Sequence, residues 1–146
     1  MHATFRFLHF AAMAAWLGTS LWVAGDARRS LAASREEALA FLGRARIALV
    51  TDRAAGTVTI LTGLALIHFA NAWPLRPGLW IGIVLAIVRA GLTDAVLGPT
   101  LKKIAVGLAG GAEPASLLPH AKKMAAVSGI GHLAWLGALA GMALNF

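Results

Sequence analysis

The 146-residue chain contains no cysteine. Disulfides, thiol redox chemistry, iron–sulfur clusters and c-type haem attachment are therefore excluded, and any metal must be held by histidine, carboxylate, methionine or backbone oxygen. Charge is also scarce, at 13% of residues against about 25% in soluble domains. No zinc-protease helix motif, phosphate-cradling glycine loop or nucleophile elbow occurs, and no paired carboxylates lie within an apolar run. Hydrolysis and phosphoryl transfer have no candidate residues. An inverted repeat or a pair of broken helices, the mark of many secondary transporters, is missing too.

What fills the chain is apolar. Hydrophobic residues make up 59% of it and the mean hydropathy is +0.76. Four long runs lie near residues 4–25, 54–73, 79–98 and 125–145. Each reaches the roughly 20 residues needed to cross a hydrocarbon core. Backbone polar groups in lipid must satisfy one another, so the runs read as helices. The expected architecture is all-α: a polytopic membrane protein with one domain, 1–146, and a four-transmembrane-helix up-down bundle. The first run is too long, and carries Arg6, His9, Trp16 and Trp22, for a cleaved signal segment; it is read as a retained span.

The net charge of +7 is distributed by loop, which argues against a nucleic-acid partner. Arg28, Arg29, Arg35, Arg44, Arg46 and Arg53 fall between runs one and two, or at the edge of run two, and Lys102, Lys103, Lys122 and Lys123 between runs three and four. The opposite ends carry only Arg6 and Arg76. Positive residues stay cytoplasmic, so the expected location is a bacterial inner membrane with both termini outside and both basic loops inside. The lipid bilayer is the first expected partner. Residues 71–78, with Pro74, Pro77 and Trp73, read as a tight external turn. Ser34, Glu36 and Glu37 open a capping-box-like start; residues 34–50 read as an amphipathic cytoplasmic extension before helix 2, lying along or just above the membrane surface. Residues 107–114 read as a flexible loop. Gly78 with Gly82 and Gly137 with Gly141 have the small-xxx-small spacing, read as helix packing, with a homodimer interface as the alternative.

The ionisable residues inside the runs are Arg6, His9, His68, Arg89, Asp94 and His132. By rise per residue, His9 and His68 should sit at one level, about 7–8 Å below the outer boundary. Two imidazoles on adjacent antiparallel helices are plausible axial ligands for a b-type haem. Arg6 and Arg76 would lie above them as propionate partners, and Met13 and Trp16 share the His9 face as walls for the ring. Structural histidines, and a quinone or other small ligand, are the competing readings. A deeper second site would involve Arg89, Asp94 and His132, the last as a second ligand or a proton relay. Arg89 and Asp94 are about 140° apart around a helix. Either Arg89 meets His132 or a ligand anion while Asp94 pairs with Arg53, or the helix is irregular near Gly91. Asp52 and Arg53 read as a charge pair at the inner rim.

His9, Trp16, Leu17 and Gly18, with the stretch 50–66 and a third run ending in Gly98 and Pro99, resemble a group of small bacterial four-helix membrane proteins. The group includes the copper-resistance D-like domain, the J-type protoporphyrinogen oxidase and related uncharacterised proteins, and the chain resembles the last most. The resemblance implies four spanning helices, with haem b at a first-helix histidine in the oxidase branch and copper handling in the other. His9, Trp16 and Gly18 are the positions that carry over. The oxidase branch has a lysine at the start of helix three and an Asn-Glu pair in helix four, and neither stands near Trp80 or His132. Few methionines and histidines line a continuous path for copper. The leading expectation is haem b between helices 1 and 2 near the outer face, ligated by His9 and His68, for electron transfer or haem-linked redox chemistry, with a quinone or membrane redox protein as the candidate partner. The alternative is a non-catalytic membrane subunit or a copper- or metal-handling protein. The catalytic residues, if any, are unknown from sequence.

Overall fold

Apolar faces and long stretches without a helix breaker produce a chain that is helical almost throughout. The computed structural model describes residues 2–70 and 74–143. Its elements are α1 (His2–Ala33), α2 (Arg35–Phe69), α3 (Pro77–Leu92), a π-helical turn (Thr93–Leu97), α4 (Gly98–Ala109), a 3₁₀ turn (Pro114–Leu117) and α5 (Leu118–Ala143). No strand occurs among the described residues. Four helical stretches, taking Pro77–Ala109 and Pro114–Ala143 as continuous, are long and apolar enough to cross a membrane. At 30 to 35 residues each runs about 45–52 Å, well beyond the roughly 30 Å of a hydrocarbon core.

α1 and α2 form an antiparallel hairpin closed by a single residue. Ser34 is that residue and the N-cap of α2: its hydroxyl accepts the Glu37 N–H at 3.1 Å, which satisfies one of the helix's open donors. Further along, Asp26 on α1 meets Arg44 on α2 at 2.9 Å. Donating to the Asp26 carboxylate holds the Arg44 guanidinium more firmly protonated than an isolated arginine. His9 meets Thr59 and Thr62 farther from the turn.

Three expectations are corrected here. The extension before helix 2 is the first part of α2 itself, which runs unbroken from Arg35 to Phe69. Ala38, Phe41, Ala45 and Ala48 recur at three- and four-residue steps and are buried against Leu31, Ile104 and Met124; an extension lying on a membrane surface would leave that face unpaired. The third run does not stop at Gly98 and Pro99. The Gly98 N–H reaches the Thr93 carbonyl, an i to i−5 bond, and the π turn lets the helix carry Pro99, which has no N–H to give, on into α4. Finally, residues 107–114 are not all loop: 107–109 belong to α4 and Pro114 to the 3₁₀ turn, and the residues between them close a tight turn. The Gly111 N–H donates to Leu108 O and the Ala112 N–H to Gly107 O, with Gly111 at φ +85°. This is the Schellman closure, which requires a residue tolerant of positive φ. Arg35 donates to the carbonyls of Leu108 and Ala112 and ties this turn to the α1/α2 turn.

The glycine pairs pack within the chain. A methyl group on Gly141 would lie 2.7 Å from the Gly78 carbonyl oxygen, one on Gly137 2.9 Å from Leu85, and one on Gly82 3.1 Å from Met142. α3 and α5 thus approach backbone to backbone through both motifs, as small residues allow in lipid. Asn71 and Trp73 of the expected external turn lie outside the described residues. Trp80 is exposed near the start of α3.

Candidate functional site

α1 and α2 are complementary at seven-residue intervals. On α1, His9, Met13, Trp16 and Ser20 are buried on one face. On α2, Asp52, Ala55, Gly56, Thr59 and Thr62 form a stripe of small and polar residues. Trp16 lies flat on Gly56, where a Cβ would be 2.9 Å from the indole; His9 lies on Gly63, where a Cβ would be 3.1 Å from Cε1. Large flat rings on one helix thus meet glycines on the other, which brings the helix axes close and leaves no slot between them for a porphyrin.

The centre of the site is a buried ion pair. Arg89 on α3 and Asp52 on α2 are 3% and 5% exposed, and Arg89 Nη2 donates to Asp52 Oδ1 at 2.7 Å. The second carboxylate oxygen accepts from the Thr93 hydroxyl at 2.9 Å, and more weakly from Arg89 Nη1 at 3.4 Å. Arg89 Nη2 also donates to the Trp16 carbonyl at 3.2 Å, and the guanidinium carbon stands 4.6 Å from the Trp16 ring centre. Three helices therefore converge on one carboxylate and one guanidinium. Burial of that charge is tolerable only because each has its counter-charge and hydrogen bonds.

A buried histidine lies on one side of the pair and a half-buried one on the other. His9 Nδ1–H donates to the Thr59 carbonyl at 3.0 Å and lies 3.1 Å from the Thr62 hydroxyl. The Thr62 hydroxyl itself donates to Val58 O. With Nδ1 so engaged, the lone pair of a neutral His9 is on Nε2. On α5, half-buried His132 places Nε2 3.1 Å from the Ser20 hydroxyl, which donates to Leu17 O. Two small cavities adjoin the pair. One, of about 20 Å³, is lined by Trp16, Thr59 and Arg89 among others; the second, of about 10 Å³, is lined by Ser20, Arg89, Thr93 and Ser128 among others. Each is about the size of one water.

The residues named from sequence are partly brought together. His9 and Trp16 are buried in the site, Met13 lines the larger cavity, and Arg89 is its centre. His68 is not beside His9: it is exposed, with Phe69 edge-on to its ring at 5.7 Å. The reason is angular. His9 packs at Gly63, and His68, five residues on, is about 140° around α2. Arg6 and Arg76 are exposed. The residues do not fit a haem held by His9 and His68, since the ligands face different ways and the cavities are water-sized. Among the described residues no group of three or more His, Asp or Glu is placed to hold a metal ion.

Asp94 does pair with Arg53, at 2.6 Å, and the helix is also irregular, over Thr93–Leu97. Asp52 and Arg53 do not pair with each other. They diverge, Asp52 inward to Arg89 and Arg53 outward to Asp94. His132 meets Ser20 and not Arg89. Sequence reasoning missed Asp52 as the buried partner, together with Thr59, Thr62 and Thr93. The signal was present in the α2 stripe, where Asp52 continues the spacing of Ala55, Gly56, Thr59 and Thr62. No protein-family model, curated protein or solved structure matches this chain.

Proposed function

We propose that this is a four-span, up-down protein of the bacterial inner membrane that handles protons through Asp52. The observation that carries the reading is the buried Arg89–Asp52 pair, near the middle of the apolar stretch of Pro77–Ala109. Intramembrane charges are costly and mark functional sites by default. Asp52 is the one buried carboxylate among the described residues, and protonating it cancels the attraction that holds Arg89. The pair is thus a two-state element: Arg89 held by the Asp52 carboxylate, or Arg89 left with the Trp16 carbonyl, which it already meets at 3.2 Å, once Asp52 is protonated. His9 and His132 flank it as exchange groups, each able to carry a proton, and Arg89 lines two small cavities.

Orientation follows from the basic residues. Arg28, Arg46, Lys102 and Lys123 are exposed on the four helical stretches, and the mainly apolar run from each to the other end of its stretch is about 30–39 Å long. In this reading they form a girdle at the cytoplasmic headgroups. The turns at Ser34 and Gly111 then stand in the cytoplasm, and both termini face outward.

Purified protein in liposomes with an internal pH-sensitive dye tests the proposal. A pH gradient should collapse faster than in empty vesicles, and Asp52→Asn should abolish the difference. Vesicles as tight as empty ones would sink it. An absorption spectrum separates the redox alternative. The protein should be colourless, whereas a Soret band lost in His9→Ala would return the haem reading at a site this fold does not form.

A further inference from the structure

Arg89 ends α3 and Thr93 opens the π turn that follows it. Four residues apart on a continuous helix, the two side chains share a face, and both reach Asp52 on α2. They are unlike as hydrogen-bond partners. Arg89 Nη2 donates to Asp52 Oδ1 at 2.7 Å and can do nothing but donate. The Thr93 hydroxyl donates to Oδ2 at 2.9 Å and is equally able to accept. Arg89 Nη1 stands 3.4 Å from both Oδ2 and Thr93 Oγ1, outside the usual range for a strong N–H···O bond. Thr93 is 2% exposed, so bulk water does not take its place at Oδ2.

We infer, on the reading that Asp52 takes up a proton, that the proton goes to Oδ2 and that Thr93 is the positioning residue that holds it there. The new O–H bond forms on Oδ2 with a proton from a hydronium ion or an imidazolium, which is left as water or neutral imidazole. The Thr93 hydroxyl turns about its C–O bond from donor to acceptor, and the acid proton donates to Oγ1. Oδ1 does not serve in the same way. Its close partner has no lone pair to receive an acid proton, and an N–H directed at it from 2.7 Å favours the oxygen that stays a carbonyl, the better acceptor of the two in a carboxylic acid. Protonation then leaves Arg89 a neutral acceptor in place of a charged one, while Thr93 keeps the acid in a fixed orientation. The other ionisable groups around Asp52 are engaged elsewhere. His132 on α5 feels both charges of the pair but meets Ser20; His9 on α1 donates to the Thr59 carbonyl; Arg53, next along α2, turns outward to Asp94.

Infrared difference spectroscopy between high and low pH, on the full chain in nanodiscs, tests this. Protonated Asp52 should give a carboxyl C=O band that is missing from Asp52→Asn, and the frequency of that band reports the hydrogen bonding of the acid group. Thr93→Val keeps the side-chain shape but removes the acceptor, so the band should move to higher frequency. Thr93→Ser restores a hydroxyl and should bring it back, which a role in packing alone would not do. Should the valine variant fail to fold, Thr93→Cys replaces the hydroxyl by a weak acceptor of similar size, and the band should move the same way by less. A band at the wild-type frequency in the folded valine or cysteine variant overturns the inference and leaves Asp52 as the proton carrier. A spectrum with no band that Asp52→Asn removes overturns the inference and the proton-handling reading together.

Discussion

Removing one partner of the central ion pair should cost far more than removing both. Asp52→Asn leaves the Arg89 guanidinium buried among Trp16 and Thr93 without its counter-charge. The expected loss is about 3–5 kcal/mol, read as a large fall in melting temperature in detergent. Asp52→Leu with Arg89→Leu should recover most of it while leaving liposomes proton-tight. If the double variant instead matches the single in stability and still leaks protons, the pair is neither a stability element nor the relay. The neighbouring Arg53–Asp94 pair has both side chains more than half exposed, so Arg53→Gln should cost less than about 1 kcal/mol. The two pairs involve adjacent residues on α2, so burial is the variable that separates them.

Element packing turns on where a helix can come within backbone distance of another. Gly56→Ala and Gly63→Ala would press a methyl into the Trp16 and His9 rings, an overpacking cost of about 1–3 kcal/mol each. Gly18→Ala and Gly129→Ala meet nothing within 4 Å and should be neutral or stabilising by up to about 1 kcal/mol. A melting series over these four glycines checks the contrast directly. Gly141→Leu should separate α3 from α5, because the atom opposite is the Gly78 backbone oxygen, which cannot move aside. That variant should lower stability without changing the oligomer size seen by light scattering. A change of oligomer size at unchanged melting temperature would restore the dimer-interface reading of the glycine motifs.

For the whole molecule, the lack of cysteine is an experimental advantage. Single cysteines can be placed and labelled without background. Ser116→Cys, exposed in the 3₁₀ turn at the basic end, should react with an impermeant maleimide only after the inner membrane is opened. His2→Cys, exposed at the start of α1, should react in intact spheroplasts. The reverse pattern would invert the topology and place the basic girdle outside. The bundle also extends beyond the apolar zone at its basic end, where Leu31, Phe41, Ile104, Leu108 and Met124 form a core with almost no exposure. The proposed cytoplasmic part is therefore packed like a soluble bundle, with the amphipathic stretch 34–50 belonging mostly to α2 and set against α1, α4 and α5 instead of a membrane surface.

Hydropathy and length alone determined that four helices here are apolar and long enough to cross a membrane, because an apolar run of about 20 residues has few other stable forms. Periodicity alone also picked out the His9, Met13, Trp16 and Ser20 face of α1, since those spacings are intrinsic to a helix. Only the tertiary structure decided what that face meets. Level along the axis put His9 and His68 together on paper, but rotation about α2 set them apart. Five residues is not a whole number of turns, and depth says nothing about direction. The partner of Arg89 was likewise invisible to reasoning along one helix, because Asp52 comes from α2 and is brought to Arg89 by the stacking of Trp16 on Gly56. A sequence carries each helix's own face and length; which faces meet, and so which charges neutralise each other, is a property of the packed bundle.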